Sequence, residues 1–333
     1  MSVVTSNTDA VSGADHHGDG DHDPFLAHHF GSHRQQFDAA KFGMWLFLVT
    51  EILFFSGLFC AYAVYRRSHP EAFANADQYL DVTLGALNTA VLIFSSMTMA
   101  WAVRASQLGQ TKLLCRLLTI TIACASIFLG VKAVEYSHKW DLGILWANAF
   151  NPVTESAHSY ALLVLSSPAA ILSVVFAGLF GFSKSKQDEV SAAFWGSLLI
   201  SAVAFFLGVG LGIAAPAAVE SITGQAAHAE VGATDHAVAA TDHTVAATDH
   251  TVAAAEEIDP TYTGVFFSIY YIMTGLHAIH ILGGMGALSW LLWRSLNQHF
   301  GPKYFGPVDF VGLYWHLVDL IWIYLFPLLY LIG

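Results

Sequence analysis

Glu51 is the one charged residue in FGMWLFLVTEILFFSGLFCAY, an apolar stretch that runs from residue 42 to 62. With a rise of about 1.5 Å per residue, this carboxyl would lie roughly 13 Å inside a helix, too deep to reach the membrane interface. A carboxyl inside a membrane is by default a functional candidate. We expect Glu51 to face protein, water or polar lipid, or to hold its proton. The alternative is a structural role as a hydrogen-bond donor between helices.

Lys132 and Glu135 are three residues apart inside another apolar segment. Helical residues at this spacing share a face, and His138 would continue the same face. The pattern predicts first a local ion pair between Lys132 and Glu135.

The passage GLHAIHILGG places His277 and His280 three residues apart, followed by Gly283, Gly284 and Gly286. Small residues allow close approach of helices. Two imidazoles from one helix form an incomplete metal site, because structural and catalytic zinc sites need three or four protein ligands. Structural or proton-handling histidines are therefore favoured over a metal site.

The last apolar passage, YWHLVDLIWIY, places His316 three residues before Asp319. A carboxylate at this spacing can accept a hydrogen bond from an imidazole and fix its tautomer. The aromatic residues at both ends are typical of the interfacial belts of a spanning helix.

These side chains require helices that cross a membrane. The chain has 333 residues, of which 55% are hydrophobic and 11% charged, whereas roughly 25% are charged in soluble domains. Apolar stretches of about twenty residues, the length that spans a bilayer, recur seven times. They cover residues 42–65, 82–103, 117–137, 157–182, 190–215, 262–293 and 308–332. We predict an all-α, polytopic transmembrane bundle of seven helices.

Lys and Arg are retained on the cytoplasmic side of short loops. A cytoplasmic N-terminus and an outer C-terminus place nine of the thirteen basic residues inside, and we predict this orientation. The nine are Arg34, Lys41, Arg104, Lys112, Arg116, Lys184, Lys186, Arg294 and Lys303. The net charge of −12 comes largely from residues 9–23 and 230–259, and acidic soluble segments argue against a nucleic-acid partner.

The N-terminal forty residues are polar, acidic and rich in His, without the pattern of a removable signal peptide. We expect residues 1–40 to form a disordered cytoplasmic tail. Cys60, Cys115 and Cys124 fall within spans and predict no disulfide framework.

The segment ATDHAVAATDHTVAATDHTVA repeats a seven-residue unit three times. It lacks the large aliphatic pairs of a coiled-coil seam. His236, His243 and His250 could bind copper or zinc, but nothing in the pattern fixes them in space. Expansion of a tolerated loop is the favoured interpretation, with a metal site as the alternative.

Three passages in this order resemble subunit III of haem-copper cytochrome c oxidases and related quinol oxidases. They are the stretch around Glu51, TGLHAIHILGG, and YWHLVDLIWIYLFPLLY. LNTAVLIFSSMTMAWA and the pair Glu135 and Tyr136 are also similar to that family. Together these passages cover the five helices common to its members.

The resemblance implies a non-catalytic subunit of an aerobic, proton-translocating oxidoreductase in a bacterial-type inner membrane. Such a subunit holds no haem and no copper, which belong to its partners. It packs on the catalytic subunit I in a complex with subunit II, binds phospholipid in a cleft, and supports proton uptake and the durability of the oxidase. The matched positions for proton, lipid or subunit contacts are Glu51, Glu135, His277, His280, His316 and Asp319.

The departure from the family pattern lies in residues 140–261, where two more spans and the His/Asp repeat interrupt the core. The predicted organisation is a tail (1–40), three core helices (41–139), this insertion, and two core helices (262–333). We hypothesise that the added pair packs beside the core and enlarges its contact with lipid or another subunit. Pro168 could kink the fourth span.

Three other functions stay open. Buried Glu, His and Asp could form the proton relay of a transporter or channel, although no matching halves indicate internal repeats. The His-rich segments could serve metal storage or delivery. Within the same family, a subunit of a quinol oxidase or of nitric oxide reductase is the third possibility.

Overall fold

The computed structural model describes residues 30–77, 79–145, 160–234 and 260–331. These residues form eight α-helices. In chain order they are α1 (His33–Ser68), α2 (Pro70–Asp77), α3 (Val82–Gln107), α4 (Thr111–Asp141), α5 (Ala161–Ser185), α6 (Glu189–Thr234), α7 (Pro260–Leu296) and α8 (Gly306–Tyr330).

Seven of the described helices are long and apolar enough to cross a membrane, and they coincide with the seven predicted spans. The predicted all-helical, multi-pass fold is confirmed. The short helix α2 was not predicted from the sequence. Helix α1 begins at His33, so the last residues of the predicted tail are helical. Residues 1–29 and the His/Asp repeat from Asp235 onward lie outside the described residues.

Polar caps and glycines define where the helices begin and end. The Asp81 carboxylate accepts hydrogen bonds from the backbone N–H groups of Thr83 (2.8 Å) and Leu84 (3.2 Å) at the start of α3. Gly109 and Gly143 follow the ends of α3 and α4 with φ of +70° and +69°, a conformation that glycine adopts without strain and that commonly ends helices.

Asp188 caps α6 in the turn between α5 and α6. Its carboxylate accepts the backbone N–H of Ser191 at 3.1 Å. Hydrogen bonds from the Ser191 side chain and backbone lower the pKa of Asp188 below its usual value, because they favour the charged carboxylate.

Helix α4 is the centre of the bundle, in contact with α3, α5, α6 and α7, while α8 packs against α3 and α7. Large aromatic side chains fill the space between these helices. Phe128 of α4 meets Trp322 of α8 edge to face, with ring centroids 4.9 Å apart. Because aromatic edges and faces carry opposite partial charge, this arrangement adds to the burial of both rings.

Helix α6 packs directly against α4 through glycines. A Cβ atom added at Gly130 would collide with the backbone carbonyl of Phe205, and one added at Gly208 would collide with that of Ile127. The two backbones therefore approach as closely as helices with small residues allow. The added pair thus packs beside the core, as hypothesised, through α6; its contact with lipid or another subunit stays a prediction. Helix α5 continues through Pro168.

We predict that Gly208→Ala destabilises the bundle by about 1–3 kcal/mol, because the added methyl group forces two packed backbones apart. The measurement is thermal unfolding of the purified chain in detergent. Gly210→Ala is the matched control, because nothing lies within 4 Å of a Cβ at that position. The control should unfold at the same or a slightly higher temperature, since alanine is the better helix former. Equal destabilisation by both variants would contradict the close contact.

Candidate functional site

Glu51 of α1 is paired with His280 of α7. Its Oε2 lies 3.0 Å from Nε2 of His280, and the two side chains are 19% and 16% exposed. The buried residues of α1 are Leu48, Phe55 and Tyr62, a seven-residue repeat that forms one narrow stripe. Glu51 lies beside this stripe, and Phe55 packs against the His280 ring with centroids 5.2 Å apart. The polar pair is therefore part of the contact between α1 and α7.

The hydrogen bonds of His280 restrict how a proton can be placed. Nδ1 lies 2.8 Å from the backbone oxygen of Leu276, which can only accept, so Nδ1 carries a hydrogen. Nε2 then either accepts a proton from a neutral Glu51 acid or donates to a Glu51 carboxylate as part of an imidazolium. Both arrangements have zero net charge. This pairing explains how a carboxyl remains so deep in an apolar segment at low cost.

Glu135 is the centre of a second, fully buried polar cluster. Its Oε2 accepts from Nζ of Lys132 at 2.7 Å, which confirms the predicted ion pair. Its Oε1 accepts from Nζ of Lys139 at 2.9 Å, the Tyr270 hydroxyl at 2.7 Å and the Tyr330 hydroxyl at 2.6 Å. None of the five residues is more than 5% exposed. The carboxylate thus joins α4, α7 and α8.

Lys132 is held by aromatic side chains as well as by the carboxylate. Its Nζ donates to the Tyr330 hydroxyl at 2.7 Å and lies 4.6 Å from the centroid of the Trp322 ring. An ammonium over an aromatic face is attracted by the ring quadrupole, most strongly when both are desolvated. Two lysines of α4 share one carboxylate, and the aromatic rings help to stabilise the additional positive charge.

Sequence spacing missed most of this cluster. The expectation that His138 continues the face was wrong, because His138 is exposed and Lys139, four residues after Glu135, turns inward. Tyr270 and Tyr330 are separated from Glu135 by 135 and 195 positions. Only tertiary packing brings their hydroxyls to the carboxylate.

His316 and Asp319 do not pair with each other. Nδ1 of His316 lies 2.6 Å from the Ser96 hydroxyl of α3. The same hydroxyl is near Asp319, but neither carboxyl oxygen of Asp319 makes a hydrogen bond of good geometry within the described part of the chain. The expected bond from imidazole to carboxylate is therefore wrong. Tight packing of α8 against α3 turns the ring of His316 toward Ser96.

His277 and His280 also take separate positions despite their spacing. His280 bonds to Glu51, while His277 is fully buried, with its ring 5.5 Å from that of Phe128 and 5.4 Å from that of Trp322. Within residues 30–77, 79–145, 160–234 and 260–331, no group of three or more His, Cys, Asp or Glu side chains could hold a metal ion. The alternative metal ligands His236, His243 and His250 lie outside the described residues.

We predict that Glu51→Gln keeps nearly full stability, because a glutamine amide can donate to a neutral Nε2 of His280. Glu51→Leu should lose roughly 1–3 kcal/mol, since it leaves that nitrogen without its partner. Thermal unfolding of both variants in the same detergent measures the difference. Equal unfolding temperatures for the glutamine and leucine variants would show that the bond to His280 contributes nothing.

Glu135→Gln should be the more severe change, with a loss of roughly 3–5 kcal/mol, because two buried ammonium groups then lack their counterion. Tyr330→Phe removes one bond to the carboxylate and should cost roughly 1.5–3 kcal/mol. Unfolding of the purified chain measures both losses. His138→Gln is the control on the exposed side of the same helix and should leave stability unchanged; a mild effect of Glu135→Gln would refute the central role of the carboxylate.

Several curated proteins are similar to a short stretch of this chain, and their names are related to one another. "Cytochrome c oxidase subunit 3" of Thermostichus vulcanus is 39% identical over 71 residues, which cover 21% of this chain and 35% of that protein. The protein of the same name from Synechocystis sp. is 42% identical over 72 residues, 21% of this chain and 30% of that protein. "Heme-copper oxidase subunit I+III" of Aeropyrum pernix is 37% identical over 70 residues, 21% of this chain and 9% of that protein.

The aligned stretch spans about a third of the length of the first two relatives. A family comparison extends much further along this chain. The family described as "Cytochrome c oxidase subunit III" matches residues 25–144 and 160–333, which include all the described helices. The chain therefore belongs to the cytochrome c oxidase subunit III family.

Proposed function

We propose that this chain is a redox-inactive subunit III of a haem-copper respiratory terminal oxidase that serves aerobic electron transport. The family match over residues 25–144 and 160–333 is the observation that carries this proposal. The names of the curated relatives favour cytochrome c as the electron donor. A quinol oxidase or a nitric oxide reductase is the alternative complex.

The catalytic subunit I is the proposed main partner, together with subunit II. Support for subunit I comes from the relative named "Heme-copper oxidase subunit I+III". The outer faces of α1 and α5 offer apolar surface for such a contact or for lipid, since α5 has only Ala161 and Ser183 buried. Haem and copper, with the electron transfer that they perform, are assigned to the partner subunits.

Phospholipid is the second proposed partner. Its proposed place is along α1, beside the buried stripe of Leu48, Phe55 and Tyr62. Phe47 and Tyr314 bridge α1 and α8 with ring centroids 6.0 Å apart, and the Tyr62 hydroxyl donates to the backbone oxygen of Leu328 at 2.7 Å. Long side chains rather than close backbones make these contacts, which leaves room for acyl chains along α1. The partly exposed pair Glu51 and His280 could exchange a proton there and so support proton uptake by the oxidase.

The proposed location is a bacterial-type inner membrane with the N-terminus in the cytoplasm and the C-terminus outside. The excess of Lys and Arg on one side supports this orientation. A single cysteine at Lys186, in a chain freed of its three native cysteines, should react with an impermeant maleimide in inverted vesicles and not in right-side-out vesicles. A cysteine at Arg67 should show the reverse; labelling of both from one side would contradict the topology.

The decisive experiment is isolation of the native complex in a mild detergent through a tag on this chain. We expect subunits I and II to copurify in equal amounts, and the haem absorbance should stay with them when this chain is stripped away. Identification of the copurifying chains and the haem spectrum separates the cytochrome c, quinol and nitric oxide complexes.

Two outcomes would overturn the proposal. Purification of this chain alone, with proton flux in liposomes, would indicate a transporter. Stoichiometric metal that stays with the untagged, isolated chain would indicate a metal-binding protein instead.

A further inference from the structure

Three polar side chains at the centre of the bundle have no hydrogen-bond partner in the part of the protein that the structure describes. They are Asn88 of α3, His277 of α7 and Asp319 of α8, and none is more than 1% exposed. Both polar atoms of each side chain are without a partner. Because nearly all buried polar groups in proteins are hydrogen-bonded, three such side chains together indicate that something other than this protein chain satisfies them.

The three side chains lie in one region of the bundle. Trp322 of α8 connects them: its ring centroid is 5.4 Å from that of His277, and its Nε1 donates to the hydroxyl of Thr89, the neighbour of Asn88, at 3.1 Å. Asp319 lies one helical turn before Trp322 on the same helix. The three buried side chains therefore belong to helices that meet around Trp322.

The chemistry of these groups restricts the ligand. The Asn88 amide and a neutral His277 ring each offer both a donor and an acceptor. A cation would be repelled by the Lys132 ammonium, which lies 4.6 Å from the centroid of the Trp322 ring. An anion would meet the carboxyl of Asp319. A small neutral molecule that both donates and accepts suits all three groups, and water is the molecule of this kind that proteins commonly bury.

We propose that Asn88, His277 and Asp319 form an internal water-binding site in the membrane-spanning core. On one side of this site, Ser96 and His316 are already hydrogen-bonded. On the other side lies the cluster of Lys132, Glu135, Tyr270 and Tyr330. Water bound at Asn88, His277 and Asp319 would lie between these two groups, within the roughly 21 Å of α8 from His316 to Tyr330 at 1.5 Å per residue. The site is a property of this chain and stands apart from any role in an oxidase.

Hydroxyl-radical footprinting of the complete chain in detergent tests the site, because X-rays split bound water into radicals that oxidise the nearest side chains. Phe128, whose ring is 5.5 Å from that of His277, should be oxidised several-fold more than Phe267. Phe267 is the matched control, since it is also a phenylalanine, is fully buried, and packs against Tyr79 and Tyr270 instead.

Two variants test whether the oxidation of Phe128 depends on the polar side chain of Asn88. Asn88→Leu should reduce the oxidation of Phe128 to the level of Phe267, because an apolar side chain fills the site and provides no hydrogen bond. Asn88→Ser keeps a hydroxyl and should retain the oxidation. The comparison of Phe128 with Phe267 in the unaltered chain decides the matter even where a variant fails to fold. Oxidation of Phe128 no greater than that of Phe267 would show a dry core and overturn the proposal.

Discussion

The constraint on which the bundle depends is that a charge in its apolar interior needs hydrogen-bond partners, from its own helix and from the helices packed against it. Glu135 shows this most clearly, because its two oxygens accept four hydrogen bonds from two lysines and two tyrosines. A buried ion pair adds little stability over apolar packing, but its loss is severe once the charges are in place. Helices α4, α7 and α8 can therefore pack together only in the arrangement that closes this cluster.

The pair of Glu51 and His280 meets the same constraint in a different way. Glu135 is balanced by fixed ammonium groups, whereas Glu51 shares one proton with an imidazole whose other nitrogen is fixed by the Leu276 carbonyl. The Glu135 cluster is fully enclosed, whereas Glu51 and His280 are partly exposed where α1 meets α7. The enclosed cluster is suited to fixing helix positions. The open pair is partly accessible from outside the described helices.

Helix α4 uses different faces for close packing of backbones and for the satisfaction of polar groups. Toward α6, the contact depends on Gly130 and Gly208, which have no side chains to separate the helices. Toward α7 and α8, large aromatic rings and the Glu135 cluster fill a wider space. Helix α6 can thus pack closely on α4 without disturbing the polar interior.

The sequence by itself determined the seven spans and the local pair of Lys132 and Glu135, because both follow from composition and from the 3.6-residue period of one helix. It also identified Glu51, His277, His280, His316 and Asp319 as ionisable residues in apolar surroundings. The tertiary structure alone decided their partners: His280 for Glu51, Ser96 for His316, and two distant tyrosines for Glu135. It also showed that Lys139 rather than His138 turns inward. Spacing along one helix determines which side chains share a face and can pair locally, as Lys132 and Glu135 do. A partner on another helix depends on the rotation and depth of that helix, which are set by packing.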